Sequence, residues 1–295
     1  MISIQHLTKD YGKGKGVFDL SFEIAKGEAF GYLGPNGSGK TTTIRHLMGF
    51  LRPDSGLCLI QGKDCQREAA EIQHFTGYLP GEIAFFEAMN GHQFLTLIGE
   101  MRGMKSTKKR DELIEIFQLD ASGKIRKMSK GMKQKLGIVA AFMHNPDVLI
   151  LDEPTDGLDP LMQQRFVELI HAEKADGKTI LMSSHSFVEI ERTCDRTGII
   201  RAGRLAAIER IAALRAVQQK KYIATFADET EARAFAAGIP ECLPTVLGTT
   251  VEAIVRENLR EFLGKLTSHP VVHLETAQLG LEDVFMHFYG EEKQQ

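Results

Sequence analysis

The chain has 295 residues, 43% of them hydrophobic and 25% charged, with four cysteines and a formal net charge of −3. These proportions are those of an ordinary globular protein and exclude disordered, collagenous and disulfide-scaffold classes, and the slightly acidic balance argues against a dedicated nucleic-acid binder, whose domain would be strongly basic. The longest nearly apolar run, Leu136 to Met143, falls far short of the ~20 residues that a membrane-spanning helix requires.

In chain order, ISIQHL, VFDLSFEI, EAFGYLG and GLCLI read as short strands between Gly and Pro/Asp turns, with a helix over TTTIRHLMGF before the last of them. From about 82 to 142 apolar residues recur at three- and four-residue spacing, predicting helices over Asn90–Arg102, Thr107–Phe117 and Gly131–Met143, an inserted helical lobe. Between 146 and 208 the strands VLIL, TILMSS and TGIIR alternate with helices over LMQQRFVELIHAEK and SFVEIERTC, the pattern of a parallel sheet in an α/β body. After a helix over 211–218, the tail predicts strand KYIATF, helix ETEARAFAA, strands around LPTVLG and VEAIV, helix NLREFLGKL, strand VVHLE and helix LEDVFMHFY, a small α+β domain.

Charge marks the same division. Residues 220–295 hold 7 Lys/Arg against 12 Asp/Glu and stand at −5, whereas residues 1–219, with 29 and 27, stand at +2. The expected domains are therefore 1–215 and 216–295. The N-terminus lacks a basic start followed by an apolar stretch, so no secretory signal is expected and the compartment is read as the cytoplasm. Cys58, Cys65, Cys194 and Cys242 form no CxxC pair and are read as reduced thiols.

Residues 34–41, GPNGSGKT, match GxxxxGK[ST] and stand between a predicted strand and a predicted helix, the context that a phosphate-binding loop requires. Gly34, Gly37 and Gly39 let the backbone wrap a polyphosphate with its amides inward, and the helix N-terminus adds partial positive charge. Lys40 is expected to reach the β- and γ-phosphates and the Thr41 hydroxyl to hold Mg²⁺; Pro35, Asn36, Ser38 and Thr42 complete the nucleotide-binding segment. Gly177-Lys178-Thr179 also spells GKT, but a strand follows it and Ala172 takes the first-glycine position, so it reads as a turn.

Val148–Thr155, VLILDEPT, place two carboxylates at the C-terminal end of a buried strand, where doubly wound sheets bind ligands. Asp152 is placed to hold Mg²⁺, and Glu153 is the candidate general base or water-orienting group for attack on a γ-phosphate.

Over roughly residues 1–215 these motifs resemble the nucleotide-binding subunit of an ATP-binding-cassette (ABC) transporter. The most diagnostic segment, MSKGMKQKL from Met128 to Leu136, is similar to the family signature LSGGQ, with Lys130 in place of the first Gly and Met132 in place of Gln. The resemblance implies that Ser129 and Gly131 bind the γ-phosphate held by another subunit in a head-to-tail homodimer, or in a heterodimer with a similar ATPase. It further implies that Tyr11 stacks on adenine, that Gly157-Leu158-Asp159 communicates across the dimer, and that His185 is the switch histidine on the γ-phosphate. The family glutamine near GYLPGE is replaced by Gly81, with Glu82 as the candidate water-mediated metal ligand. The implied fold is a P-loop NTPase with a mostly parallel core sheet, an N-terminal antiparallel β subdomain, an inserted helical subdomain and the C-terminal α+β domain.

The implied activity is hydrolysis of ATP with Mg²⁺ to drive a separate membrane permease, on the cytoplasmic face of the cell membrane. The acidic tail resembles the extension of exporter subunits for drugs, antibiotics or peptides. The alternative is a soluble cassette ATPase acting on nucleic acid or ribosomes, but a single cassette argues against it. Lys124, Arg126, Lys127, Lys130, Lys133 and Lys135, with no acid from 121 to 146, read either as a solvated helix face or as a positive surface complementing phosphates.

Overall fold

The chain opens on a hairpin of β1 (Ile2–Asp10) and β2 (Gly16–Ile24), whose alternating burial turns one face to the core. β3 (Ala29–Leu33) is buried at every position and leads through the phosphate loop into α1 (Lys40–Leu47). β4 (Ser55–Ile60) and β5 (Lys63–Asp64) complete an antiparallel sheet of order β2-β1-β4-β5. There follow α2 (Ala69–Phe75), β6 (Thr76–Leu79), α3 (Gly91–Met101), α4 (Lys108–Ile116), α5 (Lys130–Phe142), β7 (Val148–Asp152), α6 (Pro160–Ala175), β8 (Thr179–Ser184), α7 (Phe187–Thr193), β9 (Arg196–Arg201), β10 (Arg204–Arg210) and α8 (Ile211–Val217). In this computed structural model the described residues are 1–217, 220–255 and 259–277, and the chain divides into two units, Met1–Ile211 and Ala212–Gln295.

The first unit is built on a six-stranded sheet of order β10-β9-β3-β8-β7-β6, parallel from β6 to β9 with β10 antiparallel at the edge. β7 and β8 are buried along their whole length, as parallel strands covered on both faces must be, which is why their sequences are apolar runs rather than alternations. Register then decides where function sits: Leu33 pairs with Ser184 and Asp152 with Ser183. The C-terminal ends of three adjacent strands are thus level, and the loops that leave them converge. Phe22 of the antiparallel sheet stacks on Phe30, centroids 5.3 Å apart, within one core shared by the two sheets.

Four elements escape the periodicity reading: α2, β5, β6 and β10. β6 is four residues long and contains Gly77, where a Cβ would fall 2.2 Å from the Ala141 carbonyl; the glycine lets α5 lie directly on the strand. β10, RLAAIER, is a charged edge strand. The helical segment is also less separate than an inserted lobe suggests. At Gly137 a Cβ would stand 2.3 Å from Ile83 and 2.9 Å from Leu79, so the second half of α5 packs onto β6. Its first half begins with Ser129, whose hydroxyl caps the helix by accepting from the Met132 amide. α3 starts on a capping box between Asn90 and Gln93.

The second unit contains β11 (Lys220–Phe226), α9 (Glu229–Ala237), β12 (Thr245–Leu247), β13 (Thr250–Val255), α10 (Leu259–Thr267) and β14 (Val271–Ala277). Its antiparallel sheet has the order β12-β13-β11-β14, and the β-α-β-β-α-β succession is that of a split-βαβ motif. Tyr222, Ala224 and Phe226 of β11 and Val251, Ala253 and Val255 of β13 face Phe235 of α9 and Phe262 of α10 in one core. The expected helix over LEDVFMHFY lies outside the described residues.

Candidate functional site

The phosphate loop leaves β3 with the Gly34 amide donating to the Ser184 carbonyl at 3.2 Å. A Cβ at Gly34 would fall 2.4 Å from the Ile200 carbonyl, so no other residue fits there. Gly39 takes φ +112°, which an L side chain rarely adopts, and a Cβ there would stand 2.8 Å from Val17 Cγ1. Pro35, Asn36 and Gly37 form the exposed tip, whereas Ser38 is buried. The β9–β10 turn holds the loop from behind: the Gly203 amide donates to the Ser38 carbonyl at 2.9 Å, and the Gly203 carbonyl accepts from the Phe18 amide at 2.8 Å. The Lys40 ammonium is buried at 5% exposure; it donates to the Gly34 carbonyl at 2.6 Å and the Pro35 carbonyl at 3.3 Å. Thr42, in the first turn of α1, is half-buried, and its carbonyl bonds His46 Nδ1 at 2.8 Å.

At the end of β7, Asp152 is 1% exposed. Its Oδ2 accepts from the Thr41 hydroxyl at 2.8 Å and its Oδ1 from the Ser183 hydroxyl at 2.5 Å. Two oxygens of the hard type that Mg²⁺ takes thus stand 2.8 Å apart, and both carboxylate oxygens of Asp152 are fixed by hydroxyl donors. Burial first, and the Asp152 charge second, push the neighbouring Tyr78 hydroxyl up to about 12. Glu153 adopts φ +48°, the strained left-handed region that non-glycine residues occupy mainly where the surroundings enforce it. Its amide is held by the Ser183 carbonyl and hydroxyl at 3.2 and 3.1 Å. Its carboxylate points back into the site, with Oε1 3.1 Å from Lys40 Nζ and Oε2 2.9 Å from His185 Nδ1. Lys40, Thr41, Asp152, Glu153 and His185, as much as 145 positions apart in sequence, are therefore one constellation.

The remaining expected residues stand apart from it. Tyr11 lies in the β1–β2 turn, 54% exposed; its hairpin nevertheless borders the loop through Val17 at Gly39. Glu82 is exposed, and the residue of that segment next to Asp152 is Gly81, where a Cβ would stand 3.4 Å from Oδ2. Ser129 and Lys130 are exposed at the start of α5, and no hydrogen bond or ion pair among the described residues links Ser129 or Gly131 to the phosphate loop. Lys130 instead pairs with Asp156 at 2.7 Å, and Gly131 abuts the Gly157 carbonyl. Asp159 caps α6, its Oδ1 accepting from the Met162 amide at 3.0 Å. Of the basic residues, Lys133 stands 3.9 Å from Glu87, while Lys124, Arg126 and Lys127 are exposed. The four cysteines are free and buried, and burial raises their thiols.

Sequence reasoning missed Ser183, Gln134 and Glu189. Gln134 Nε2 donates to the Pro154 carbonyl at 2.8 Å, tying α5 to the loop after β7. The only trace of Ser183 in the sequence is the break of an apolar run into two serines, and only strand register assigns it to Asp152.

Residues 17–156 match the family model described as ABC transporter. The chain is similar to the linearmycin resistance ATP-binding protein LnrL of Bacillus subtilis (strain 168), 38% identical over 213 residues that cover 70% of this chain and 68% of that protein. It is also similar to the bacitracin transport ATP-binding protein BcrA of Bacillus licheniformis, 39% identical over 208 residues with the same coverage of 70% and 68%. Among solved structures, an ATP-binding subunit of an ABC transporter superposes with a TM-score of 0.66 at 31% identity, covering 73% of this chain and 92% of that one.

Proposed function

The chain belongs to the ABC transporter family as one of its ATP-binding subunits, an ATPase on a P-loop NTPase fold, and from that premise we propose that it powers a separate membrane permease which exports a drug, antibiotic or peptide. Among the described residues no helix is long and apolar enough to cross a membrane, so in this reading the permease supplies the passage and the chain sits on its cytoplasmic face. The names of two relatives, a linearmycin resistance protein and a bacitracin transport protein, favour export of an antibiotic-like molecule. Residues 1–215 form the ATPase domain in this assignment and 216–295 an accessory domain.

Mg-ATP fits the residues present. The backbone around Gly34 and Gly39 leaves no room for a Cβ, and the Thr41 and Asp152 oxygens, 2.8 Å apart, are the hard donors that Mg²⁺ takes. When bound, Mg²⁺ neutralises phosphate charge and orients the β- and γ-oxygens. Lys40 exchanges the loop carbonyls for phosphate oxygens and keeps its charge inside the site. Glu153 accepts a hydrogen from water and turns its oxygen toward the γ-phosphorus; as that P–O bond forms, the bond to the β–γ bridging oxygen breaks, giving ADP and phosphate. His185 fixes the Glu153 carboxylate through Nδ1 and presents its other face to the γ-phosphate. Tyr11 stacks on adenine. Exposed Ser129 and half-buried Gly131, together with Asp159, complete the site of a partner cassette, so that ATP closes two chains around two nucleotides.

One observation carries the reading: the Glu153 carboxylate is held between Lys40 and His185, beside the Thr41–Asp152 pair. Glu153→Gln is expected to bind ATP, to accumulate as a dimer on size-exclusion chromatography and to lose nearly all turnover. Full ATPase activity in that variant overturns the assignment.

A further inference from the structure

Glu189, in the first half of α7, has a carboxylate that spans two loops. Its Oε1 accepts from the Thr155 hydroxyl, and its Oε2 accepts from the Ser184 hydroxyl at 2.6 Å. Thr155 lies two residues beyond Glu153 and Ser184 immediately precedes His185, and both hydroxyl residues are buried, at 5% and 0% exposure. The Ser184 oxygen also accepts from the Ser186 amide at 2.9 Å, so the backbone on both sides of His185 is drawn to the same carboxylate. Thr193 in turn donates to the Glu189 carbonyl at 2.7 Å and steadies the helix that bears it.

We propose that Glu189 is a positioning residue for ATP hydrolysis: one carboxylate sets the spacing between the loop of the water-orienting Glu153 and the loop of His185, and so maintains their 2.9 Å contact. The proposal rests on the roles given above to Glu153 and His185. The chemistry suits the task. A carboxylate is acceptor-only when ionised and takes two hydroxyl donors at once, and charge-assisted bonds of this kind are short and strong. Among the described residues the Ser183 hydroxyl also joins the two segments, through Asp152 and the Glu153 amide, but past the strand ends the side-chain link is that between Glu153 and His185, the two groups that must stay free to act on water and phosphate. Placing the tie behind them leaves both able to respond to nucleotide. The residue does not touch the reacting atoms, so its effect falls on geometry, where misplacement of a catalytic group by about 1 Å costs on the order of a hundredfold in rate.

A cavity of about 360 Å³ adjoins the clamp, lined by Thr155, Phe166, His185 and Arg192 among others. Removing the carboxylate therefore opens the two hydroxyls to water, which satisfies them, and the variant keeps its fold while losing the connection.

The test compares Glu189→Ala, Glu189→Gln and Glu153→Gln in the purified full chain by steady-state ATPase kinetics and by equilibrium ATP binding. Glu189→Ala is expected to lose about tenfold to a hundredfold in kcat while KM and ATP affinity stay within roughly threefold. Glu189→Gln, which still offers one acceptor and lets the other hydroxyl turn to accept, is expected to retain most turnover. Thr155→Val removes one of the two ties without changing shape, and Thr155→Val combined with Glu189→Ala should be no slower than Glu189→Ala alone. Wild-type kcat in Glu189→Ala overturns the proposal, as does an equal loss of ATP binding. If Glu189→Ala fails to fold, Thr155→Val decides by the same split: lowered kcat at unchanged KM supports the clamp, and unchanged kcat overturns it. Active Glu153→Gln refutes the underlying assignment; inactive Glu153→Gln with fully active Glu189→Ala refutes the clamp alone.

Discussion

Lys130 reaches from the first turn of α5 to Asp156, Nζ to Oδ2 2.7 Å, with its methylenes lying over Gly157. Where the family signature has a glycine, this chain has a strap from the signature helix to the turn that follows Glu153. The same turn meets Gly131 through the Gly157 carbonyl, so the two segments expected to face a partner cassette are in direct contact.

The strap is a device of position rather than of stability. Both groups are largely in water, with side-chain exposures of 70% and 49%, and such pairs contribute about 0–1 kcal/mol. Lys130→Ala is expected to change the unfolding free energy by less than about 1 kcal/mol. Gly157→Ala should cost more, about 1–2 kcal/mol, because Gly157 has φ +82° and a Cβ there would meet Lys130 Cγ at 3.0 Å. Urea denaturation of the two variants checks the order, and the reverse order would make the ion pair a stabilising element.

Glu173 of α6, at 1% exposure, pairs with Lys109 of α4 at 2.5 Å, joining the helical segment to the core. Lys109→Met leaves a buried carboxylate without its cation and is expected to destabilise the chain by about 3 kcal/mol. In the double variant Lys109→Met/Glu173→Met the charge itself is gone, and stability should return most of the way to wild type. Midpoints of urea unfolding distinguish the two cases; equal losses in both would mean that packing, not charge, dominates at this contact.

Burial, reinforced by Arg102 nearby, lowers the pKa of His144 from 6.5 to about 4, against a weaker opposing hydrogen bond to the Thr76 carbonyl. The folded chain therefore holds His144 neutral where the unfolded chain takes up a proton. The stability from this residue is fully present above pH 6.5 and is lost as pH falls toward 4. The loss between pH 7 and 5 amounts to about 2 kcal/mol. Burial lowers buried His46 in the same direction, so the contribution of His144 is read as a difference: His144→Gln should show a shallower fall of urea midpoint over that range. Parallel pH profiles for the two chains would contradict the assignment.

The contrast between what the sequence discloses and what it hides follows from range. GPNGSGKT is legible because each glycine answers to its own backbone and to strands one step away, and DEP is legible because an apolar run points to it. The partners that lock these groups are hidden because they depend on register: Ser183 meets Asp152, and Glu189 meets Thr155, only once β7 and β8 lie side by side. The same limit explains the elements left unread. β6 is too short to show a period and is interrupted by Gly77, and β10 carries charges that an edge strand tolerates. Tyr11, Ser129 and Gly131 are legible through family resemblance alone, since on a single chain none of them hydrogen-bonds to the phosphate loop among the described residues.

The Gly203 turn bonds both Ser38 and Phe18, although synthesis from the N-terminus produces the phosphate motif early and this turn among the last parts of the first unit. A chain that ends before residue 203 contains every residue of GPNGSGKT but lacks the amide that holds the loop from behind. Competence to grip a nucleotide therefore comes with completion of the whole first unit and not with the appearance of its motif.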